Sequence, residues 1–301
     1  MISLLTHPKW SSEQKRFAVV LIIIASLAFG ITHVQHYEPE TGSDAVHYFF
    51  MSENPSNMSD VKPPFKYRVL TPLLVSAIKS ATNLPTWRAF YVLNYFALFF
   101  SSVILYLFLR RLKFNEVLSL IGVSIFLSNY IIVGLSVFLV DPLFFLFYIA
   151  GIYFILKKKF RYTLLCLIVG IFNKETILLL IPYYLVIRFS PYIAYTLFSI
   201  FIPYFLWFRK YVAYTSYLEE LITNPIRKII YAATSFSLLW ILAPFGYKNA
   251  NPFIKKSVFF LPFVFSLWLL ATNLDRMTFL SFPVLIPLVL QVVKDNLGSS
   301  S

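Results

Sequence analysis

Apolar runs of membrane-spanning length recur along this chain, and they leave few folds open to it. About ten such runs cover residues 17–34, 87–109, 116–139, 141–156, 162–173, 175–188, 191–208, 229–244, 257–273 and 277–293. About 20 apolar residues cross a bilayer as one helix, and the shorter fifth and sixth runs leave the count uncertain by about two. The sequence therefore predicts an all-α polytopic membrane protein whose single transmembrane domain covers residues 1–296.

Composition excludes a water-soluble domain. The chain is 59% hydrophobic and 13% charged, and it holds 33 Phe and 20 Tyr, whereas a soluble domain is about a quarter charged. The first apolar run lacks a small-residue cleavage site, so we interpret it as a span and not as a signal peptide. The lone cysteine, Cys166, excludes a disulfide framework. Residues 297–301 resemble the remnant of an expression tag.

Basic residues lie in short clusters between the apolar runs, which is the pattern of cytoplasmic loops. The clearest clusters are the N-terminal tail, residues 110–113 and residues 157–161. Both termini are therefore predicted to be cytoplasmic, with the acidic residues collected on the outer face. The loop 209–228 carries four basic residues and fits the outer side poorly. The net charge of +13 does not indicate nucleic-acid binding, because no basic patch lies on a soluble domain.

The longest polar segment is the first outer loop, at about residues 34–86. It contains two apolar stretches, at 45–51 and 69–78, which favour order. Ser43 or Asp44 is placed to cap a helix that runs through the first stretch. A second short helix is predicted over 69–80, with Pro72 in its first turn, where proline is tolerated. Neither is long enough to span, so both are predicted to lie in the membrane interface.

Within this loop, Asp44 is the strongest candidate for a general base. His47 and Tyr48 follow at i+3 and i+4 and share its helix face, where they would shape a substrate site. The alternative for Asp44 is a helix cap. Asp44 and His47 alone are a weak metal signal, because a third ligand is missing.

Four basic residues near the outer face are candidates for binding a phosphate. Lys66 and Arg68 flank Tyr67, and this group would either hold a phosphate or anchor the loop in the interface. Lys174 precedes Glu175 between two short apolar runs, as a functional pair or a mutually neutralised structural pair. Arg276 opens the last span. Asp141 would be a second carboxylate in the cavity or a cap for the span that Pro142 begins.

These residues in this order resemble the GT-C class of polytopic glycosyltransferases, and more narrowly its bacterial mannosyltransferase-like members. The resemblance covers about residues 40–180 and rests on an acidic first outer loop, the run from Phe65 to Leu74, Asp141-Pro142 and Lys174-Glu175. It implies that Asp44 is the catalytic base, that Asp141 and Glu175 are the other acidic site residues, and that Arg68 is the loop-one cation. The chain departs from the class in its short length and in lacking a paired acidic signal in loop one.

The resemblance implies inverting sugar transfer from a polyprenyl-phosphate-linked donor to a glycan or lipid-linked acceptor. The reaction would occur on the outer face of a bacterial inner membrane, among membrane lipids. Lys66, Arg68, Lys174 and Arg276 would bind the donor phosphate, with His47, Tyr48 and Tyr67 around the substrate. No cofactor is expected, although a divalent metal stays open. Alternatives are a lipid-linked polysaccharide polymerase or ligase, a flippase or secondary transporter, and a structural membrane subunit.

Overall fold

The computed structural model describes residues 11–34, 44–57, 61–133, 135, 138–192, 194–196, 225–269 and 274–298, and this part of the chain is helical without strands. Its α-helices are α1 (Ser12–Val34), α2 (Asp44–Glu53), α3 (Leu70–Thr82), α4 (Thr86–Arg111), α5 (Glu116–Ile132), α6 (Asp141–Leu156), α7 (Phe160–Ile171), α8 (Leu180–Arg188), α9 (Pro225–Thr234), α10 (Leu239–Gly246), α11 (Pro252–Ser257), α12 (Leu261–Ser266), α13 (Leu274–Phe279) and α14 (Phe282–Gly298). Short 3-10 helices cover Phe65–Tyr67, Glu175–Leu179, Val258–Phe260 and Leu267–Leu269. The predicted all-α class is confirmed.

Two helices in the described part are long and apolar enough to cross a membrane, namely α1 and α4. The helices α5, α6 and α7 are apolar but shorter. The predicted span at 229–244 is divided between α9 and α10, because Ser237 adopts a left-handed φ of 45° that interrupts the helix. Most of the predicted span at 191–208 lies outside the described residues. Ten spans therefore stay a prediction.

Both short helices predicted in the first loop are present. The first, α2, begins at Asp44, whereas Ser43 lies outside the described residues. The second, α3, carries Pro72 in its first turn. It is capped by Asn83, which has a left-handed φ of 55° and whose N–H donates to the Lys79 carbonyl. Their apolar faces pack together with the start of α4 and residues 138–140 in a small cluster. This cluster is built from Ala45, Tyr48, Met51, Val61, Val75, Ala89, Phe90, Phe138, Leu139 and Val140.

The larger core lies between α4, α5, α6 and α14, and aromatic rings fill its centre. Phe126 packs on Phe282 with ring centroids 4.8 Å apart, and Phe145 meets Phe279 edge-on at 5.2 Å. Such ring pairs stabilise a core beyond the area that they bury. The hydroxyl of Tyr148 donates to the Leu280 carbonyl at 3.0 Å, so this buried polar group is satisfied. The core thus holds the helices in one bundle that carries different chemistry at its two ends.

One end of the bundle is formed by α2, α3, the first residues of α4 and α6, and residues 172–175; we call it the ion-pair end. The Leu70 N–H donates to the Phe172 carbonyl at 3.0 Å, which joins α3 to the segment after α7. The opposite end, the basic end, holds the last residues of α4, α6, α8 and α14. There Lys294 donates to the Lys113 carbonyl. Because α4 and α6 run from one end to the other, the two ends are separated by the length of a helix.

Replacing Gly246 with Ala is expected to destabilise the fold by about 1–3 kcal/mol, the usual cost of overpacking a close contact. A Cβ at Gly246 would collide with the backbone carbonyl of Leu288, so α10 and α14 would have to move apart. Gly30→Ala is the matched control, because a Cβ at Gly30 meets no atom within 4 Å. Denaturation of the detergent-solubilised protein would compare the two variants. An equal effect from both would show that α10 and α14 do not pack this closely.

Candidate functional site

Four of the residues singled out from the sequence form two adjacent ion pairs at the ion-pair end. Arg68 pairs with Glu175, and Lys174 pairs with Asp141. Tyr48 completes the group by hydrogen bonding to Arg68. We call these five residues the ion-pair network. It joins the first loop to the start of α6 and to the segment between α7 and α8.

Arg68 binds two partners, the carboxylate of Glu175 and the hydroxyl of Tyr48. Its Nε donates to one carboxylate oxygen of Glu175 at 2.9 Å, and its Nη2 donates to the other at 2.5 Å. Its Nη1 donates to the Tyr48 hydroxyl at 2.8 Å. A bidentate arginine–carboxylate pair is among the strongest and most directional contacts in proteins. Burial raises the pKa of Tyr48 above its ordinary value, so the hydroxyl that accepts from Arg68 stays protonated.

Lys174 and Asp141 form the more deeply buried pair. Lys174 Nζ donates to Asp141 Oδ1 at 2.5 Å, and the two side chains are only 10% and 6% exposed. Lys174 has extended backbone angles, so it and Glu175 point in different directions and pair with different elements. The mutual Lys174–Glu175 pair considered from the sequence is therefore replaced by two pairs that reach across the fold.

Asn173 supports both pairs, although the sequence did not single it out as a site residue. Its side chain is fully buried. Its Oδ1 accepts a hydrogen bond from the Thr71 hydroxyl at 2.6 Å, and its Nδ2 donates to the Val140 carbonyl at 2.7 Å. Asn173 thus links α3 to the residue before Asp141. The one signal in the sequence was its place beside Lys174-Glu175 at the end of an apolar run.

Aromatic rings surround Arg68 on the side of the first loop. The ring of His47 stacks on Phe65 with centroids 4.5 Å apart, and Tyr48 meets Phe65 edge-on at 5.8 Å. The guanidinium of Arg68 lies over Phe65 at 5.6 Å. Tyr67 is different, because 60% of it is exposed and Lys66 lies over its ring at 5.1 Å. Among the predicted substrate-shaping residues, His47 and Tyr48 therefore line the network, whereas Tyr67 faces outward.

The remaining candidates lie beside the network and make no direct bond to it among the contacts described. Asp44 is the first residue of α2; it is exposed and acts electrostatically on Tyr48. Arg276 acts electrostatically on Asp141, and its backbone N–H donates to the Asp275 side chain at 2.8 Å. The described residues include no ion-pair partner for Asp44. Asp44 is thus the exposed carboxylate of the candidate set, whereas Glu175 is partly exposed but paired with Arg68.

A second polar contact holds α2 at its other end. Glu53, the last residue of α2, accepts hydrogen bonds from Lys79 in α3 and from Thr86 at the start of α4. The hydrogen bond from Lys79, joined by the one from Thr86, lowers the pKa of the Glu53 carboxyl. A lowered pKa means that this contact stabilises the fold near neutral pH and is lost as the pH falls through it. The contribution is small, because both side chains are partly exposed.

At the ion-pair end, some charged side chains form ion pairs and others do not. Arg68, Glu175, Asp141 and Lys174 neutralise each other, which is how buried charges are retained in an apolar protein. Asp44 and Lys66 lie at the edge of the network without ion-pair partners among the described residues. No three His, Cys, Asp or Glu side chains in the described ranges are placed to hold a metal ion. The arrangement therefore fits proton transfer and phosphate binding beside a rigid charged support.

Comparison of the chain with protein-family models, with curated proteins and with solved structures returned no match.

Proposed function

We propose that this chain is a polytopic membrane glycosyltransferase of the GT-C type. It would move a sugar from a polyprenyl-phosphate-linked donor to a glycan or lipid-linked acceptor on the outer face of a bacterial inner membrane. The observation that supports the proposal best is the ion-pair network itself. Segments about 30 to 110 residues apart in sequence meet there, and they are the same segments that carry the resemblance to the class.

In the proposed reaction, Asp44 accepts the proton of the acceptor hydroxyl. The hydroxyl oxygen forms a bond to the anomeric carbon of the donor sugar as the bond from that carbon to the phosphate oxygen breaks. The configuration at the anomeric carbon inverts because attack and departure occur on opposite faces. Asp44 suits this role because it is exposed and forms no ion pair within the described residues, so its carboxylate is accessible to an acceptor hydroxyl.

The leaving phosphate carries the developing charge, and preorganised cations beside it would lower the barrier. Lys66 is the cation best placed to bind it, because it lies at the edge of the network over the exposed ring of Tyr67. Arg68 and Lys174 already have carboxylate partners, so their contribution is to hold Tyr48, Glu175 and Asp141 in place beside Lys66.

Placement in a membrane is supported by what the helix surfaces expose. The helices α1 and α7 present large apolar side chains outward, among them Ile22 at 65% and Leu165 at 57% exposure. Contiguous apolar surface of this kind is unusual on a soluble protein. The basic end would face the cytoplasm under the positive-inside rule, which leaves the ion-pair end outside. We propose about ten crossings, with residues 257–273 and 277–293 as the last two.

The test is transfer of radiolabelled sugar from synthetic polyprenyl-phosphate donors to added acceptors by the purified protein in proteoliposomes. Consumption of a donor with appearance of a glycosylated acceptor supports the proposal. A transporter would instead carry labelled substrate across the bilayer with the donor bond intact. A polymerase or ligase would require a pyrophosphate-linked donor and give products of high mass. If the folded protein leaves every donor in the panel unreacted, the transferase proposal is ruled out.

A further inference from the structure

The basic end of the bundle carries strong positive charge that the described part of the protein leaves unbalanced. The three ion pairs in the described ranges all lie at or near the opposite end, between Arg68 and Glu175, Lys79 and Glu53, and Lys174 and Asp141. Every connection at the basic end holds Lys or Arg, against three described carboxylates, those of Glu13, Glu116 and Asp295. Asp295 is already bound by Asn249 and Gln291.

Contacts between the helix ends place these basic connections on one surface. Lys294, near the end of α14, reaches the turn after α4, and Arg188, at the end of α8, donates to the Ile155 carbonyl of α6. Phe108 of α4 packs on Phe253 of α11 with ring centroids 6.1 Å apart. The basic residues of four helix ends therefore share a face instead of being scattered around the bundle.

Two cations, Arg110 and Lys294, meet at the turn from α4 to α5, and Lys113 is part of that turn. Arg110 Nη1 donates to the Phe114 carbonyl at 2.8 Å. Lys294 Nζ donates to the Lys113 carbonyl at 3.4 Å and lies over the Phe114 ring at 5.8 Å. Lys113 itself has a left-handed φ of 71°, which makes the turn that presents both carbonyls. Arg110, Lys113 and Lys294 are all exposed.

Backbone carbonyl oxygens orient Arg110 and Lys294 without neutralising their charge. The nearby carboxylate is Glu116, which acts with Arg110 on Tyr106 and forms no ion pair in the described part of the chain. One carboxylate among three cations leaves a net positive site. Val117, in the first turn of α5, adds an exposed apolar side chain at 65% exposure. A site with cations above and apolar surface beside it matches a molecule with an anionic head and a hydrocarbon tail.

We propose that Arg110, Lys113 and Lys294 bind the phosphate headgroup of an anionic phospholipid, on a basic face that contacts the cytoplasmic leaflet. Basic pockets between helices on this side of a membrane select anionic headgroups by charge. The Phe114 turn would hold Arg110 and Lys294 beside the phosphate with Lys113 in the same turn, while Val117, in the first turn of α5, contacts the acyl chains. The proposal rests on the membrane location proposed above and does not depend on the transfer reaction.

The test follows the thermal unfolding of the whole protein in neutral detergent micelles as phosphatidylglycerol or phosphatidylcholine is added. Phosphatidylglycerol is expected to raise the unfolding temperature, and phosphatidylcholine at the same mole fraction is not. The variant Arg110→Gln/Lys113→Gln/Lys294→Gln should need roughly 10- to 100-fold more phosphatidylglycerol for the same shift, since each cation near an anionic surface contributes about tenfold or less.

Two further variants make the result specific to this site. Lys62→Gln/Lys79→Gln/Arg88→Gln removes the same charge at the other end and should keep the native response. Arg110→Lys/Lys113→Arg/Lys294→Arg keeps the charge and should respond nearly as the native protein does, which separates loss of binding from loss of folding. The proposal is overturned if phosphatidylcholine or inorganic phosphate stabilises equally, or if both glutamine variants respond alike. Sugar transfer is assayed separately, so either proposal can fail alone.

Discussion

Lys174→Met is expected to lower the free energy of unfolding by about 3–5 kcal/mol, the cost of leaving one partner of a buried ion pair without the other. The reason is that Asp141 has a side chain only 6% exposed and would keep an uncompensated carboxylate among apolar residues. The double variant Lys174→Met/Asp141→Leu should recover most of the loss, because it removes both charges and leaves none to compensate. Unfolding of the protein in mixed micelles, titrated with a denaturing detergent, would measure all three free energies.

Lys79→Met provides the control for this prediction. It also removes a lysine from an ion pair, but Lys79 and Glu53 are 35% and 45% exposed, so water compensates the charge left behind. Its expected cost is about 0–1 kcal/mol. If Lys174→Met costs no more than Lys79→Met, the Asp141–Lys174 pair is not buried as described. If the double variant is as unstable as the single one, the loss comes from packing and not from charge.

Asp44→Asn is expected to reduce sugar transfer roughly 100- to 10,000-fold, which is the usual contribution of a general base. Asparagine keeps the size of the side chain and its ability to cap α2, so the helix should be retained. It has no basic oxygen to accept the proton of the acceptor hydroxyl. The measurement is the initial rate of transfer from a polyprenyl-phosphate donor in proteoliposomes, with unfolding followed in parallel.

Glu53→Gln is the matched control, since Glu53 is the other acidic residue of α2 and lies at its opposite end. Glutamine keeps the capacity to accept from Thr86, so transfer should stay within about twofold of native, as surface substitutions rarely disturb a fold. A folded Asp44→Asn protein with native activity would remove Asp44 from the reaction. Equal loss in both variants would mean that α2 matters for its position and not for the carboxylate of Asp44.

The short helices of the first loop show what local sequence is able to predict. An acidic residue before the apolar stretch indicated the start of α2, and Pro72 in the first turn indicated α3; both helices lie where these signals placed them. Caps, proline positions and apolar periodicity act over a few residues, so they can be seen in the chain itself. The interruption of the predicted span at 229–244 could not be seen in the same way, because no local signal in the sequence indicates the left-handed Ser237.

The candidate site also shows the difference between what short segments reveal and what only long-range contacts decide. The chemistry of its residues was evident from the sequence, because ionisable side chains between apolar runs are costly unless they serve a purpose. Which residue pairs with which was not evident. Lys174 and Glu175 are neighbours in the chain, yet they bind Asp141 and Arg68, which are 33 and 107 residues away. Asn173 and Thr71 escaped notice because they bind each other across 102 residues, and Asn173 also binds the Val140 carbonyl, which is 33 residues away.

By itself, the sequence determined an all-α chain, two short helices in a polar first loop, and a separation of acidic from basic connections. These follow from hydropathy, helix capping and charge order, which are properties of short segments. Tertiary structure alone decided that Arg68 binds Glu175 and Tyr48, that Lys174 binds Asp141, and that Asp44 stays exposed beside them. A buried charge takes whichever opposite charge the packing of helices brings within reach, and that packing is a property of the whole chain.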